Sequence, residues 1–200
     1  MDTSTLALTS NWLAVRDQNG NVLSNQVAFI IMAPGVALAT QNRAGATPTA
    51  QNFLDSYTVN GTTYKNWDSD LDFIAAPRTN NTVNQFNDRL LYVTRNELMS
   101  RLVDRVAGEV RLGLNTYYLT YHTYPAKLTD ITSLPSWFNA NNWTNTNPST
   151  ADILYTPPPP PQPTPPSQVT IGFRGCTGVT YTFTWHSVTS NSDMKRNGSC

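Results

Sequence analysis

Charged side chains are scarce in this sequence. Asp, Glu, Lys and Arg make up 13% of its 200 residues, against about a quarter in an average protein. The 13 basic and 13 acidic residues cancel, so there is no net positive field to attract nucleic acid and no acidic tail. The polar surface must therefore come from Asn, Thr, Ser and Gln, a composition that we take as typical of exported bacterial proteins.

Long apolar runs are also missing. The longest one, Val27 to Ala33, is short enough for a buried strand. A membrane-spanning helix needs about 20 apolar residues, so we expect no membrane contact from this segment itself. No secretory signal follows Met1 either. For an exported protein, this predicts that the N-terminus has been trimmed.

Cysteine is limited to one pair, Cys176 and Cys200. An even pair in a chain with this kind of surface favours one disulfide bond and an oxidising compartment, and two unrelated free thiols are the alternative. The bond would enclose a C-terminal loop. We therefore predict an extracytoplasmic location.

The first ninety residues have the pattern of antiparallel strands. Short apolar segments alternate with turn signals, and Asn19-Gly20 and Asn60-Gly61 are dipeptides that strongly favour tight hairpin turns. A hairpin over 57–64 and further strands near 12–16, 26–32, 70–74 and 90–93 are predicted. The stretch 41–49 is polar and contains Gly and Pro, which predicts a long loop. Residues 1–93 are thus predicted to form a β-rich lobe.

One long amphipathic helix is predicted from about Asn96 to Tyr121. Apolar residues recur there at spacings of three and four, which place them on one face of an α-helix. This stripe consists of Leu98, Leu102, Val103, Val106, Ala107, Val110, Leu114, Tyr117 and Tyr121. Thr94 and Glu97 have the spacing of a capping box, and Pro125 follows the end. We expect the apolar face to pack on an antiparallel sheet.

The rest of the chain is predicted to return to strands. Proline-rich segments at 157–161 and 163–166 predict an extended connector. Apolar residues at 179, 181, 183 and 185 alternate with polar ones, which is the period of a half-buried strand, and 169–173 is its predicted partner. The predicted fold class is α+β. Residues 94–200 form either a second region or one continuous domain with 1–93.

Candidate metal ligands are few. The only histidines, His122 and His186, lack Cys, His or carboxylate neighbours at a metal-binding spacing. The alternating carboxylates of Asp68, Asp70 and Asp72 could converge on Ca²⁺, which prefers oxygen ligands. A solvated acidic loop is the alternative, and no other cofactor is predicted.

Catalytic motifs are not visible. The sequence has no Gly-x-Ser-x-Gly elbow, no phosphate-binding loop and no dinucleotide fingerprint. We therefore predict that the protein is not an enzyme. A hydrolase that uses paired carboxylates is the third-ranked hypothesis.

Aromatic residues after the helix are candidates for binding. Trp137, Phe138 and Trp143 could form an exposed patch that holds a partner protein or a sugar. The alternative is that these rings cover the helix and belong to the core. An exposed patch would favour a secreted adhesin or a carbohydrate-binding module.

Several segments together resemble bacterial type IV pilin-like proteins, the minor pilins and pseudopilins. They are Phe86-Asn87-Asp88-Arg89-Leu90 with its continuation to Leu98, then 103–111, 117–125 and 134–143. The cysteine pair also resembles the disulfide-bounded loop near the C-terminus of many pilins. The Gly-Phe-Thr-Leu-Ile-Glu segment that marks this family, with its apolar N-terminal helix, is not in the sequence.

This resemblance implies the soluble head of a non-enzymatic subunit of a type IV pilus or type II secretion system, located in the periplasm, at the cell surface or in the pilus. Its implied work is assembly, partner recognition or adhesion. The implied partners are other pilin-like subunits or pilus-tip proteins, and surface glycans are a further expectation. Some pseudopilins bind calcium, which adds weight to the acidic loop 68–72 as a metal site.

Overall fold

A computed structural model describes residues 12–45, 47–81, 84–140, 143–144, 151–158, 168–186 and 191–200. The described residues divide into two compact units, an N-terminal unit within Ser10–Arg95 and a C-terminal unit within Asn96–Cys200. Apart from Pro157 and Pro158, the predicted proline-rich connector lies outside the described residues.

The fold is mixed α+β, with one long helix and mostly antiparallel strands, as predicted. The strands are β1 (Leu13–Asp17), β2 (Val22–Ala33), β3 (Ser56–Val59), β4 (Thr62–Lys65), β5 (Asp72–Ala75), β6 (Thr79–Asn80), β7 (Gln85–Phe86), β8 (Arg89–Thr94), β9 (Ile153–Thr156), β10 (Gln168–Phe173), β11 (Cys176–His186) and β12 (Asn191–Gly198). The helices are α1 (Arg95–Tyr121) and the short α2 (Trp137–Ala140), and 3-10 turns lie at Ala50–Asn52 and Leu128–Asp130.

The N-terminal unit contains a four-stranded sheet in the order β5-β1-β2-β8. Strand β1 is antiparallel to β2 but parallel to β5, a pairing that the sequence pattern did not indicate. Two smaller hairpins, β3–β4 and β6–β7, complete this unit. Val15, Val27, Ile74 and Phe86 are fully buried in it.

Both predicted Asn-Gly turns are confirmed. In the β3–β4 hairpin, Asn60 and Gly61 have φ angles of 51° and 79°, the left-handed pair that a tight two-residue turn requires. In the β1–β2 hairpin, Gly20 has φ 80°, and the Asp17 carboxylate accepts the backbone N–H groups of Asn19 at 2.8 Å and Asn21 at 2.9 Å.

Helix α1 has 27 residues and is about 40 Å long. Its buried residues are Met99, Val103, Val106, Ala107, Val110, Gly113, Leu114 and Tyr118. This line differs from the predicted stripe at both ends, because successive steps of four residues rotate around a helix by about 40° each. Leu98 is only half-buried and Tyr121 is 61% exposed.

The C-terminal unit contains an antiparallel sheet in the order β12-β11-β10-β9. The predicted alternation is confirmed, since the side chains at 169, 171, 173, 179, 181, 183 and 185 are buried. Strands β9 and β12 were not predicted. Strand β12 lies at an edge of the sheet and is mostly exposed, so its sequence lacks the apolar alternation of a half-buried strand.

The predicted disulfide is confirmed between Cys176 and Cys200, with a Cα–Cα distance of 4.9 Å. It encloses the paired strands β11 and β12 rather than a simple loop. Beside it, Gly178 and Gly198 lie in such close backbone contact that a Cβ at Gly198 would collide with the carbonyl oxygen of Gly178. The bond therefore closes a strand pair whose backbones need glycine at this point.

None of the helices in the described part of the chain combines the length and apolar character needed to span a bilayer.

Candidate functional site

A buried polar centre lies in the N-terminal unit where three strands begin or end. Asp55 precedes β3, Asn66 follows β4 and Asp88 precedes β8. Their exposed fractions are 3%, 1% and 6%. Burying such groups is costly unless they are hydrogen-bonded, so their partners define what this centre does.

The two aspartates bind each other's backbone. The Asp55 N–H donates to Asp88 Oδ2 at 2.7 Å, and the Asp88 N–H donates to Asp55 Oδ2 at 3.1 Å. The Asn87 N–H donates to the same Asp55 oxygen at 2.6 Å. These bonds fix the start of β3 against the connection between β7 and β8.

Asn66 attaches strand β5 to this centre. Its Nδ2 donates to Asp88 Oδ2 at 3.2 Å and to the Ile74 carbonyl at 3.1 Å. Its Oδ1 accepts the Ile74 N–H at 2.9 Å. The amide thus pairs with the backbone of β5 as another strand would.

Arg43 organises the loop between β2 and β3. Its guanidinium donates to the carbonyls of Gly35, Asn52 and Phe53 at 2.7, 3.0 and 3.2 Å, and to Gln41 Oε1 at 2.8 Å. The same Gln41 donates from Nε2 to Asp55 Oδ1 at 2.8 Å. The polar loop predicted at 41–49 is therefore connected to the polar centre through two side chains.

Asp88 is the titratable group of greatest interest in the centre. Burial raises its pKa to about 6, and the nearby Asp55 carboxylate acts in the same direction. Hydrogen bonds from Asp55 and Asn66 and the charge of Arg43 oppose the rise. Within the described residues, the buried Asp88 Oδ1 has no hydrogen-bond partner. Asp88 can therefore hold a proton under mildly acidic conditions.

Two cavities border the polar centre. One has a volume of 380 Å³ and is lined by Leu38, Thr40, Gln41, Gln51, Leu54, Asp55, Ser56, Thr58, Trp67, Asn84 and Gln85. Several of its polar groups already have partners. For example, the Asn84 side chain both accepts the Thr58 N–H at 2.9 Å and donates to the Thr58 carbonyl at 3.0 Å. This cavity is polar, but Gln41, Asp55, Thr58 and Asn84 in its lining already form hydrogen bonds within the protein.

The second cavity, which we call the arginine-lined cavity, has a volume of 670 Å³. It is lined by Gly35, Val36, Ala75, Ala76, Arg78, Asn87, Asp88, Arg89 and Leu90. Arg78 and Arg89 are exposed. Over the ranges that the structure describes, neither guanidinium has a hydrogen bond or an ion pair. Two unpaired cations beside one opening can hold an anionic group.

Asn87 shapes one wall of this cavity. Its Nδ2 donates to the Val36 carbonyl at 2.7 Å. Its side chain lies against Gly35 so closely that a Cβ on Gly35 would overlap it. The buried Asn87 Oδ1 has no partner among the described residues. Asn87 and Asp88 therefore each have one buried acceptor oxygen that lacks a donor in the described part of the chain.

Of the predicted calcium ligands, Asp68 and Asp70 lie in bends and Asp72 is the first residue of β5. Arg16 Nε donates to both carboxylate oxygens of Asp72, at 2.9 Å to Oδ1 and 2.8 Å to Oδ2. Asp68 Oδ1 accepts the Asp70 N–H at 3.4 Å, and Asp70 Oδ1 accepts the Asp72 N–H at 3.0 Å. No three His, Cys, Asp or Glu side chains of the described chain are grouped so that they could hold a metal ion.

The candidate aromatic patch lies mostly inside the C-terminal unit. Phe138 and Trp143 are 0% and 1% exposed and belong to its hydrophobic core. Trp137 is half-buried, with its ring centroid 4.4 Å from that of Phe138 and 6.5 Å from that of Trp143. The structure thus places Phe138 and Trp143 in the core and Trp137 half-buried against it.

The polar centre and the arginine-lined cavity were not found from the sequence. Asp55 and Asp88 are 33 residues apart, and no short motif joins Arg78 to Arg89. The sequence contains one indirect indication of the polar centre. Asp and Asn residues directly before or after predicted strands can hydrogen-bond the free backbone groups at the ends of neighbouring segments.

No protein-family model, no curated protein and no solved structure matches this chain. Its function is therefore inferred from the residues and contacts described above.

Proposed function

We propose that the chain is the soluble head of an extracytoplasmic, non-enzymatic pilin-like subunit of a type IV pilus or type II secretion system. The supporting observation is the bond between Cys176 and Cys200, the pair that carries the resemblance to pilins at the C-terminus. Disulfides persist in oxidising compartments, so the bond is consistent with a periplasmic, surface or pilus location.

The finer arrangement that we propose for the C-terminal unit is an amphipathic α1 packed on its antiparallel sheet. Tyr118 stacks on Trp185 with ring centroids 4.4 Å apart. Arg196 donates to both Asp104 carboxylate oxygens at 3.0 Å, and the Tyr181 hydroxyl donates to Asp104 as well. Buried residues of the helix and of β10 and β11 also belong to one hydrophobic cluster.

The proposed function of this head is assembly, partner recognition or adhesion. Its proposed partners are other pilin-like subunits or pilus-tip proteins. Leu112 and Leu119 of α1 are 57% and 53% exposed. They are seven residues apart, so they share one face of the helix. Apolar side chains presented in this way support a role in contacts between subunits.

The gene sequence upstream of the Met1 codon tests this proposal. We expect a prepilin peptidase site followed by about 20 apolar residues, the length of a membrane-spanning helix. With the complete gene expressed in its host, the chain should also be found by mass spectrometry in sheared surface filaments or in the secretion complex. An ordinary cleavable signal peptide directly before this segment would overturn the proposal.

A secreted adhesin or carbohydrate-binding module unrelated to pili is the second candidate. The arginine-lined cavity favours it, because unpaired guanidinium groups beside an opening are suited to capture a ligand. This candidate requires binding by the isolated chain. Failure of the chain to retain any member of a glycan array would count against it.

A further inference from the structure

We propose that the arginine-lined cavity binds an acidic sugar, whose carboxylate is taken by Arg78 and Arg89. The proposal names a ligand class for the adhesive role that both candidate functions include. It rests on that role and does not require assembly into a filament.

The two arginines indicate that the ligand carries a negative charge. Both line the same cavity, and neither pairs with a carboxylate in the described part of the chain. Elsewhere in this unit, Arg16 is paired with Asp72 and Arg43 donates to three loop carbonyls. Guanidinium forks match carboxylate oxygens in geometry and charge.

Two further lining residues, Asn87 and Asp88, bear on the polar character of the ligand. Asn87 and Asp88 each have a buried Oδ1 without a donor among the described residues. Sulfate has no N–H or hydroxyl donor to offer these oxygens, and hydrogen phosphate has few. A sugar acid brings one carboxylate together with several hydroxyl donors. It therefore matches the cavity better than an inorganic anion does.

The remaining lining and the size fit a pyranose ring. Val36, Ala75, Ala76 and Leu90 provide apolar surface for the C–H face of a ring. The volume of 670 Å³ lies within the range of about 300–1,000 Å³ for small-molecule sites, which is enough for one or two sugar residues.

The test is calorimetric titration of the 200-residue chain. The acidic probes are trigalacturonate and sialyllactose, and the neutral probes are maltotriose and lactose. We expect at least one acidic probe to bind and both neutral probes to bind more than 10-fold more weakly. In NMR spectra, the backbone amide signals of Val36, Ala75 and Ala76 should shift during the same titration.

Two double variants test whether the acidic probe binds at the arginine-lined cavity. The double change Arg78→Gln with Arg89→Gln should weaken the acidic probe at least 10-fold. The control is Arg101→Gln with Arg105→Gln, which removes the same charge from two exposed arginines of α1. This control should keep the original affinity, and circular dichroism should show both double variants folded.

Three results would overturn the proposal: no binding of either acidic probe, equal binding of the neutral probes or of sulfate, or an equal loss of affinity in the control variant. These results are separable from failure of the proposed function. If a prepilin site is found upstream but no sugar binds, only the proposed sugar site is disproved. If a sugar binds but the upstream sequence is an ordinary signal peptide, only the pilin-like assignment is disproved.

Discussion

Asp55 and Asp88 hold each other's backbone, with the Asp55 N–H donating to Asp88 Oδ2 at 2.7 Å and the Asp88 N–H to Asp55 Oδ2 at 3.1 Å. Together with Asn87 and Gln41, these bonds occupy both oxygens of Asp55. One oxygen of Asp88 remains without a partner in the described chain. The pair therefore fixes two backbone segments of the N-terminal unit to each other. Asp88 is the member of the pair that can gain or lose a proton near pH 6.

The first prediction concerns pH. Because the folded pKa of Asp88 is about 6, above the ordinary value of about 3.9, the folded state binds its proton more tightly than the unfolded state. The stabilisation is complete below about pH 4 and is lost as the pH rises through 6. We expect a loss of roughly 1 to 3 kcal/mol from this group, measured by urea unfolding followed at the Ile74 amide NMR signal.

The control for this prediction is Asp88→Asn, which keeps a carbonyl acceptor and cannot titrate. Carboxylates distant from position 88 contribute equally to both proteins, so the difference between the two stability curves isolates Asp88 together with its neighbour Asp55. The wild type should lose stability relative to the variant between pH 4 and pH 7. Parallel curves for the two proteins would show that Asp88 titrates normally.

The second prediction concerns Arg43. Arg43→Lys keeps the positive charge but replaces a planar fork with one ammonium group, which cannot reach Gly35, Gln41, Asn52 and Phe53 together. The loop should lose order, and the free energy of unfolding of the N-terminal unit should fall by about 1–3 kcal/mol. Urea unfolding measures the loss.

Arg78→Lys is the matched control for Arg43→Lys. Arg78 is exposed and makes no hydrogen bond or ion pair within the described ranges. A surface change of this kind should stay within about 0.5 kcal/mol of the wild type. Equal effects of the two changes would mean that the contacts of Arg43 do not stabilise the loop.

Local chemistry explains which parts of the fold were predictable. The turn at Asn60-Gly61 requires positive φ at two adjacent residues, and few dipeptides other than Asn-Gly favour that conformation. The alternation through Tyr181, Phe183 and Trp185 directly reports one buried face of β11. These signals lie within a few residues of the structure that they specify.

Long-range pairing explains what was missed. Strand β1 pairs with β5, and Ala14 is opposite Asp72, although nothing in either segment specifies the other. The same applies to the arginine-lined cavity, because Arg78 and Arg89 lie in different segments and acquire a shared function only after folding. Sequence patterns give the faces of the strands but not which distant strand will be the neighbour.

The third prediction compares two glycines of helix α1. A Cβ at Gly113 would lie 2.8 Å from Leu134 Cδ2 and 3.0 Å from Ile131 Cγ2, whereas a Cβ at Gly108 would have no such neighbour within 4 Å. Overpacking should cost Gly113→Ala about 1–3 kcal/mol and helix propensity should return about 0.5–1 kcal/mol, so this variant should destabilise the C-terminal unit by a net amount of about 0.5–2 kcal/mol. Gly108→Ala should stabilise it by about 0.5–1 kcal/mol through helix propensity. Thermal unfolding of both variants checks the opposite signs, and a stabilising Gly113→Ala would disprove the packing argument.

The last prediction concerns the disulfide between Cys176 and Cys200. The two cysteines are 24 positions apart, and closing a loop of this size should stabilise the folded state by about 3 kcal/mol in the chain-entropy model. Reduction, or the double change Cys176→Ala with Cys200→Ala, should lower the urea midpoint of the C-terminal unit accordingly. The bond links the start of β11 to the residues just after β12, which lie at the same end of this antiparallel pair. The amides of the edge strand β12 should therefore lose hydrogen-exchange protection before those of β10. Counting alkylatable thiols by mass spectrometry provides the control: none should react before reduction and both should react after it. Two reactive thiols in the untreated protein would rule out the bond and, with it, the support that it gives to an extracytoplasmic head domain.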